Sequence, residues 1–145
     1  MEKKYTFSDL KQIIDVLRGE NGCPWDKVQT HESLRKDMLE EAYEAVDAID
    51  KNDMENLKEE LGDVLMQVVF HSAIANENGN FTLDDVIQGI CEKMVYRHPH
   101  VFGTGNAKTP DEVLQKWETL KKQEKQIATQ TQAMKQVPAA MPALL

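Results

Sequence analysis

Two short acidic runs hold the side chains with the clearest chemistry. They are Leu39-Glu40-Glu41-Ala42-Tyr43-Glu44 and Lys58-Glu59-Glu60-Leu61-Gly62-Asp63. Residues three apart on a helix lie on nearly the same face. Glu41 therefore projects with Glu44, and Glu60 with Asp63. The midpoints of the two pairs fall at 42.5 and 61.5, symmetric about Asn52. If Asn52 centres a turn between antiparallel helices, residues equidistant from it share a height. Four carboxylates then converge at one level. Four ionised acids so placed repel, and partial burial adds a desolvation cost. Either some stay protonated or a divalent cation binds, and an oxygen-only ligand set suits Mg²⁺ or Mn²⁺. The plainer alternative is a pair of solvated acidic faces, since glutamates are common on exposed helices.

The elements that must position these acids are helical. Few Gly and Pro (7 and 5 of 145 residues) with many Leu, Glu, Lys, Met and Ala point to an all-α chain. Five helices are predicted. The first spans about 7–17, capped by Thr6 or Ser8, with Leu10, Ile13, Ile14 and Leu17 as its stripe. The second spans about 32–49, with Leu34, Met38, Leu39, Ala42, Val46 and Ile49 on one face. Lys51-Asn52-Asp53 is the turn. The third spans about 54–76, with Leu57, Leu61, Val64, Leu65 and Val68 inward. Taking Ala42 and Leu61 as near the stripe centres, the acid pairs flank the buried face. Thr82 caps a fourth helix with Asp84 and Asp85 in its first turn, and Pro99 stops it. Thr109 and Pro110 open a fifth helix that ends near Lys125.

Residues 1–125 read as one domain. Residues 126–145 read as a linker, or as a truncated junction ending in the apolar Met141-Pro142-Ala143-Leu144-Leu145. Acids outnumber bases 25 to 17, which argues against a nucleic acid polymer or an anionic membrane as partner. The excess is local: residues 31–63 hold 12 acids and 4 bases, and the rest balances. Cys23 and Cys91 form no CxxC pair, and no apolar leader follows Met1, which fits a reduced cytoplasmic protein. No run is long and apolar enough to span a membrane.

Several acidic motifs are excluded. Val28, Val68, Val95 and Arg97 stand three residues before the four histidines, so the Glu-x-x-His of ferritin-like di-iron sites is absent. There is no HExxH, Walker loop or GxGxxG. Glu59-Glu60-Leu61-Gly62 matches the core of a Nudix box, but Glu55, Asn56 and Asp63 break the rest of it.

At these residues the sequence resembles the MazG family of all-α nucleoside triphosphate pyrophosphohydrolases. Glu40-Glu41-Ala42-Tyr43-Glu44 and Glu60-Leu61-Gly62-Asp63 match its EExxE and ExxD hallmark. The likeness extends from about residue 7 to 125. It includes Gly22-Cys23-Pro24-Trp25-Asp26, Gln29-Thr30-His31, Gln67-Val68-Val69-Phe70-His71, Arg97-His98-Pro99-His100-Val101-Phe102 and the segment from Trp117-Glu118 to Lys121.

The resemblance implies that Glu41, Glu44, Glu60 and Asp63 ligate Mg²⁺, with Mn²⁺ as a substitute. Water then attacks the α-phosphorus of a nucleoside triphosphate, releasing the monophosphate and pyrophosphate. Glu40 or Glu59 would orient that water or act as general base. Lys93 and Arg97, four apart on one helix face, would contact phosphate; ion pairing with Glu92 or a neighbour is the alternative. Trp117 would stack on the base or line its pocket, with Lys121 one turn on; a core or interface role is its alternative. His71 reads as a buried, hydrogen-bonded histidine, Trp25 as a packing anchor, and His98 and His100 as shaping a helix end. A thin layer of amphipathic helices leaves apolar stripes uncovered, so a homodimer resembling a four-helix bundle is expected. Longer relatives carry a second such domain, which makes the chain resemble the N-terminal half of a two-domain protein. The competing functional readings are a non-catalytic dimerisation or regulatory domain that binds metal or nucleotide, and an acidic interaction module.

Overall fold

The computed structural model describes residues 2–131. Those residues form helices α1 (Phe7–Leu17), α2 (Pro24–Lys27), α3 (Arg35–Asp50), α4 (Met54–Glu77), α5 (Leu83–Arg97), α6 (Pro99–Phe102) and α7 (Pro110–Thr131). The five long helices are those the sequence predicts. The two additions are single turns that Pro24 and Pro99 open from the first helical position. Residues 31–34 form a turn before α3, and α7 continues past Lys125. The apolar segment at 139–145 lies outside the described residues.

Polar side chains set the helix starts. Thr6 and Asp9 cap α1 reciprocally: the Thr6 hydroxyl accepts from the Asp9 N–H at 3.3 Å, and the Asp9 carboxylate accepts from the Thr6 N–H at 2.8 Å. Thr82 and Asp85 repeat the arrangement at α5. Asp53 caps α4 by accepting from the Asn56 N–H. Between α3 and α4, Asn52 takes a φ of 53°, a left-handed conformation that asparagine tolerates better than most residues.

The chain divides into two compact units, residues 1–87 and 88–145. In the first, α3 and α1 both pack on α4. Its core is Ile14, Leu34, Val69, Phe70, Ile74 and Leu83, with Leu10, Leu17, Met66, Val68 and Ala73 against it. Each large side chain buried there contributes on the order of 1.5–3 kcal/mol. Arg18 fastens the loop after α1. Its guanidinium donates to the Asp26 and Gln29 carbonyls and to Glu77, and lies over the Phe70 ring. In the second unit, α5 and α7 are joined through Arg97 and Glu124.

The inward face of α3 differs from the predicted one. Leu34 is buried, but Met38, Leu39, Ala42, Val46 and Ile49 are exposed. The residues turned inward are Glu41, Ala45 and Ala48. On α4, Leu61 and Leu65 are exposed while Glu60 and Gln67 are buried. The hairpin therefore packs through small and polar residues, and its greasier stripe faces outward. Periodicity finds an apolar face, but it does not say whether that face is covered by the same chain. Trp25, expected as an anchor, is likewise 58% exposed.

Candidate active site

The hairpin brings the predicted carboxylates together. Glu41 on α3 and Glu60 and Asp63 on α4 each place an oxygen within 4.8 Å of the other two. Glu44 adjoins Glu60 and shares a hydrogen bond with it. One level further from the turn, His31 Nδ1 meets His71 Nδ1 at 2.8 Å. These meetings place the symmetry centre within about one residue of Asn52. The register predicted from residue numbers holds.

Burial is uneven. Glu60 is 9% exposed, Glu41 and Asp63 are half-buried and Glu44 is exposed. The Oε2 atoms of Glu41 and Glu60 are buried with no hydrogen-bond partner. None of the four carboxylates takes part in an ion pair among the described residues. The consequence is electrostatic. The hydrogen bond with Glu44 pushes the Glu60 carboxyl up to about 7, assisted by burial and by the charges of Glu44, Asp63 and Glu41. Burial, then Asp63 and Glu44, raises Glu41. Orphaned carboxylate oxygens that hold their protons this tightly are a donor set for a hard divalent cation, which would replace the protons.

Glu40 and Glu59 lie on the exposed flank, and Glu40 is 3.8 Å from Lys36. Gln67, one turn after Asp63, is 2% exposed, and its Oε1 has no partner. The sequence gives it no role beyond its place in the family-like run 67–71, although it lies seven residues after Glu60 on one face of α4. His71, expected to be buried and hydrogen-bonded, is half-buried; its Nδ1 is bonded to His31, while its Nε2 is buried without a partner. Burial and the neighbouring His31 lower its pKa, and the bond requires one ring to donate and the other to accept.

The predicted phosphate and base residues form a second cluster, within the second unit. Arg97 donates through Nε at 3.2 Å and Nη2 at 2.7 Å to the two carboxylate oxygens of Glu124. Of the ion-pair alternative, Glu92 is not the partner found, since it accepts from Gln88, but Arg97 does pair with an acid, Glu124 on α7. The Trp117 ring has Lys121 at 5.1 Å and Arg97 at 6.0 Å from its centre, with His98 alongside. Trp117 Nε1 is buried without a partner. Lys93 is exposed. His98 bonds the Met94 carbonyl through Nδ1 and finishes α5. The sequence reading missed Glu124, which lies seven residues after Trp117 on the same face of α7. Both cysteines are free. No helix among the described residues is long and apolar enough to cross a membrane.

A sequence model of the MazG nucleotide pyrophosphohydrolase domain matches residues 29–102, just over half of the chain and all of the hairpin. The chain belongs to the MazG family. This MazG chain is 51% identical over 140 residues to the YabN protein of Bacillus subtilis, covering 97% of itself and 28% of YabN. It is 50% identical over 119 residues to the nucleoside triphosphate pyrophosphohydrolase/pyrophosphatase MazG of Thermotoga maritima, covering 82% and 45%. With the nucleoside triphosphate pyrophosphohydrolase of Escherichia coli K12 it shares 44% over 137 residues, covering 94% and 52%. The chain thus spans about half or less of the length of these relatives. The crystal structure of a mazG-related protein from Thermotoga maritima superposes with a TM-score of 0.65 at 31% identity, over 79% of this chain and 98% of that one.

Proposed function

We propose that this MazG domain hydrolyses nucleoside triphosphates between the α- and β-phosphates, giving the monophosphate and pyrophosphate. The observation that carries the reading is the convergence of Glu41, Glu60 and Asp63 with two buried, unpartnered carboxylate oxygens, on the domain that the family defines. Glu41, Glu44, Glu60 and Asp63 hold Mg²⁺, or Mn²⁺ in its place. When bound, the cation offsets phosphate charge and makes the attacking water more acidic. Glu40 or Glu59, on the exposed flank beside the ligands, accepts the proton of that water. Lys93, Arg97 and Lys121 receive phosphate oxygens, and Trp117 borders the base. The uncovered stripe of Met38, Leu39, Val46, Ile49, Leu61 and Leu65 supports a homodimer, because a continuous apolar face of this kind is unfavourable in water. Where a second MazG domain accompanies this one, it is the further partner. The cytoplasm, where nucleotides are abundant and thiols stay reduced, is the fitting compartment.

The deciding experiment is pyrophosphate release by residues 1–145 from a panel of NTPs and dNTPs, with Mg²⁺, with Mn²⁺ and with EDTA. Metal-dependent release of pyrophosphate, and not of orthophosphate, is expected. Metal-dependent nucleotide binding without product would favour the regulatory reading instead. Light scattering of the same sample checks the dimer.

A further inference from the structure

The guanidinium of Arg97 already holds an anion. Its Nε and Nη2 grip both oxygens of Glu124, the two-point geometry with which arginine takes a carboxylate or a phosphate. Glu124 has other positive neighbours. After Arg97, the charges of Lys93 and Lys121 also hold its carboxyl below the usual range. Trp117, Lys121 and Glu124 share one face of α7 by their spacing of four and three. The Trp117 N–H is a buried donor with nothing to donate to. Three cations therefore act on the Glu124 carboxylate, with a spare donor on the same helix face, and one of the cations, Lys121, also lies 3.6 Å from Glu118. Glu124 is 27% exposed and Arg97 15%, so the carboxylate can swing to solvent and the fork it leaves is open to a ligand.

Resting on the reading that these cations receive the triphosphate, we propose that Glu124 is a displaceable occupant of the phosphate position. Its carboxylate fills the Arg97 fork until a phosphate takes its place, and it then turns out to solvent. Charge favours the exchange: a triphosphate brings several negative charges to a cluster where Glu124 brings one. A protein group that competes for the fork lowers the fraction of binding-competent molecules, and the apparent dissociation constant of every phosphate ligand rises by the same factor. Glu124 thereby sets the affinity for substrate without touching it.

The test is isothermal titration of the full chain, with Mg²⁺, using inorganic tripolyphosphate and a non-hydrolysable α,β-methylene NTP. Wild type, Glu124→Gln, Glu124→Asp and Arg97→Gln are compared. Glu124→Gln is expected to bind both ligands about fivefold to tenfold tighter, by a common factor, and its KM for NTP falls in step. Glu124→Asp, which keeps the charge but shortens the reach, is expected to tighten binding less. Unchanged or weaker binding by Glu124→Gln would overturn the proposal and make Glu124 a fixed support for Arg97. Loss of a cooperative melt in that variant would do the same. If Arg97→Gln binds tripolyphosphate as well as wild type, the assignment of these cations to phosphate fails, which is a separate result from failure of the exchange.

Discussion

The hairpin carboxylates and the cations around Trp117 are two charge clusters built on opposite plans. In the hairpin, Glu41, Glu44, Glu60 and Asp63 are gathered with no ion-pair partner among the described residues, and buried oxygens are left without hydrogen bonds. Around Trp117, the strongest cation is paired with Glu124 in two hydrogen bonds, and Lys121 lies 3.6 Å from Glu118. The first cluster is unstable as charged groups and depends on what binds it, a proton or a metal ion. The second is neutralised by its own protein. One region should answer to pH and divalent cations, and the other to competing anions.

Removing a ligand should have the largest effect. Glu41→Gln and Asp63→Asn are each expected to lower pyrophosphate release about a hundredfold or more. Glu60→Gln should lose activity similarly, yet raise the metal-free melting temperature at pH 8, because it removes a charge from a repelling group. If Glu60→Gln leaves that temperature unchanged, the acids are merely solvated and the contrast between the clusters collapses.

Stability against pH comes next. The folded chain holds the Glu60 proton up to about pH 7, whereas the ordinary value is 4.5. Glu41 shifts in the same direction. A raised carboxyl pKa means that the folded state binds the proton more tightly than the unfolded one. That contribution is fully present below about pH 4.5 and is lost as pH rises through about 7. Without metal, the melting temperature should therefore fall between those values; with excess Mg²⁺ the fall should shrink, because the cation replaces the proton. Mg²⁺ binding near neutral pH should also release protons, measurable in buffers of different ionisation enthalpy.

The smallest change is expected at Lys121→Met. The loss of a cation over the Trp117 ring should alter stability by less than about 1 kcal/mol, while triphosphate binding weakens a few-fold. A large loss of stability with unchanged binding would make Lys121 structural.

Much of this was legible in the sequence because it depends on local rules. Helix starts followed from Thr6 or Ser8, Thr82 and Thr109, and the convergence of the acids followed from spacing about Asn52; Asp53, placed in the turn by the sequence, is the α4 cap. The inward face of α3 was not legible. Its apolar stripe is real but points outward, and Ala45 and Ala48 take the inner positions. The partner of Arg97 was hidden for another reason: Glu124 lies 27 residues away, and only the meeting of α5 with α7 makes it a neighbour. Gln67 stood in the family-like run 67–71 but received no role, because spacing does not show that it is buried without a partner.

Ala45 and Ala48 are almost wholly buried between the carboxylates and the turn, and methyl groups let two helices lie close. At the other end the hairpin is held by His31 against His71 and by Leu34 within the core. Both ends being fixed, the gap at Glu41, Glu60 and Asp63 has a set width, and on the proposed metal-binding reading that width would act as a caliper for ionic radius. Mg²⁺ takes oxygens at about 2.0–2.1 Å, and Ca²⁺ at about 2.3–2.6 Å with more of them. A larger residue at position 45 would spread the jaws, and ion preference would drift toward Ca²⁺ with every carboxylate still in place.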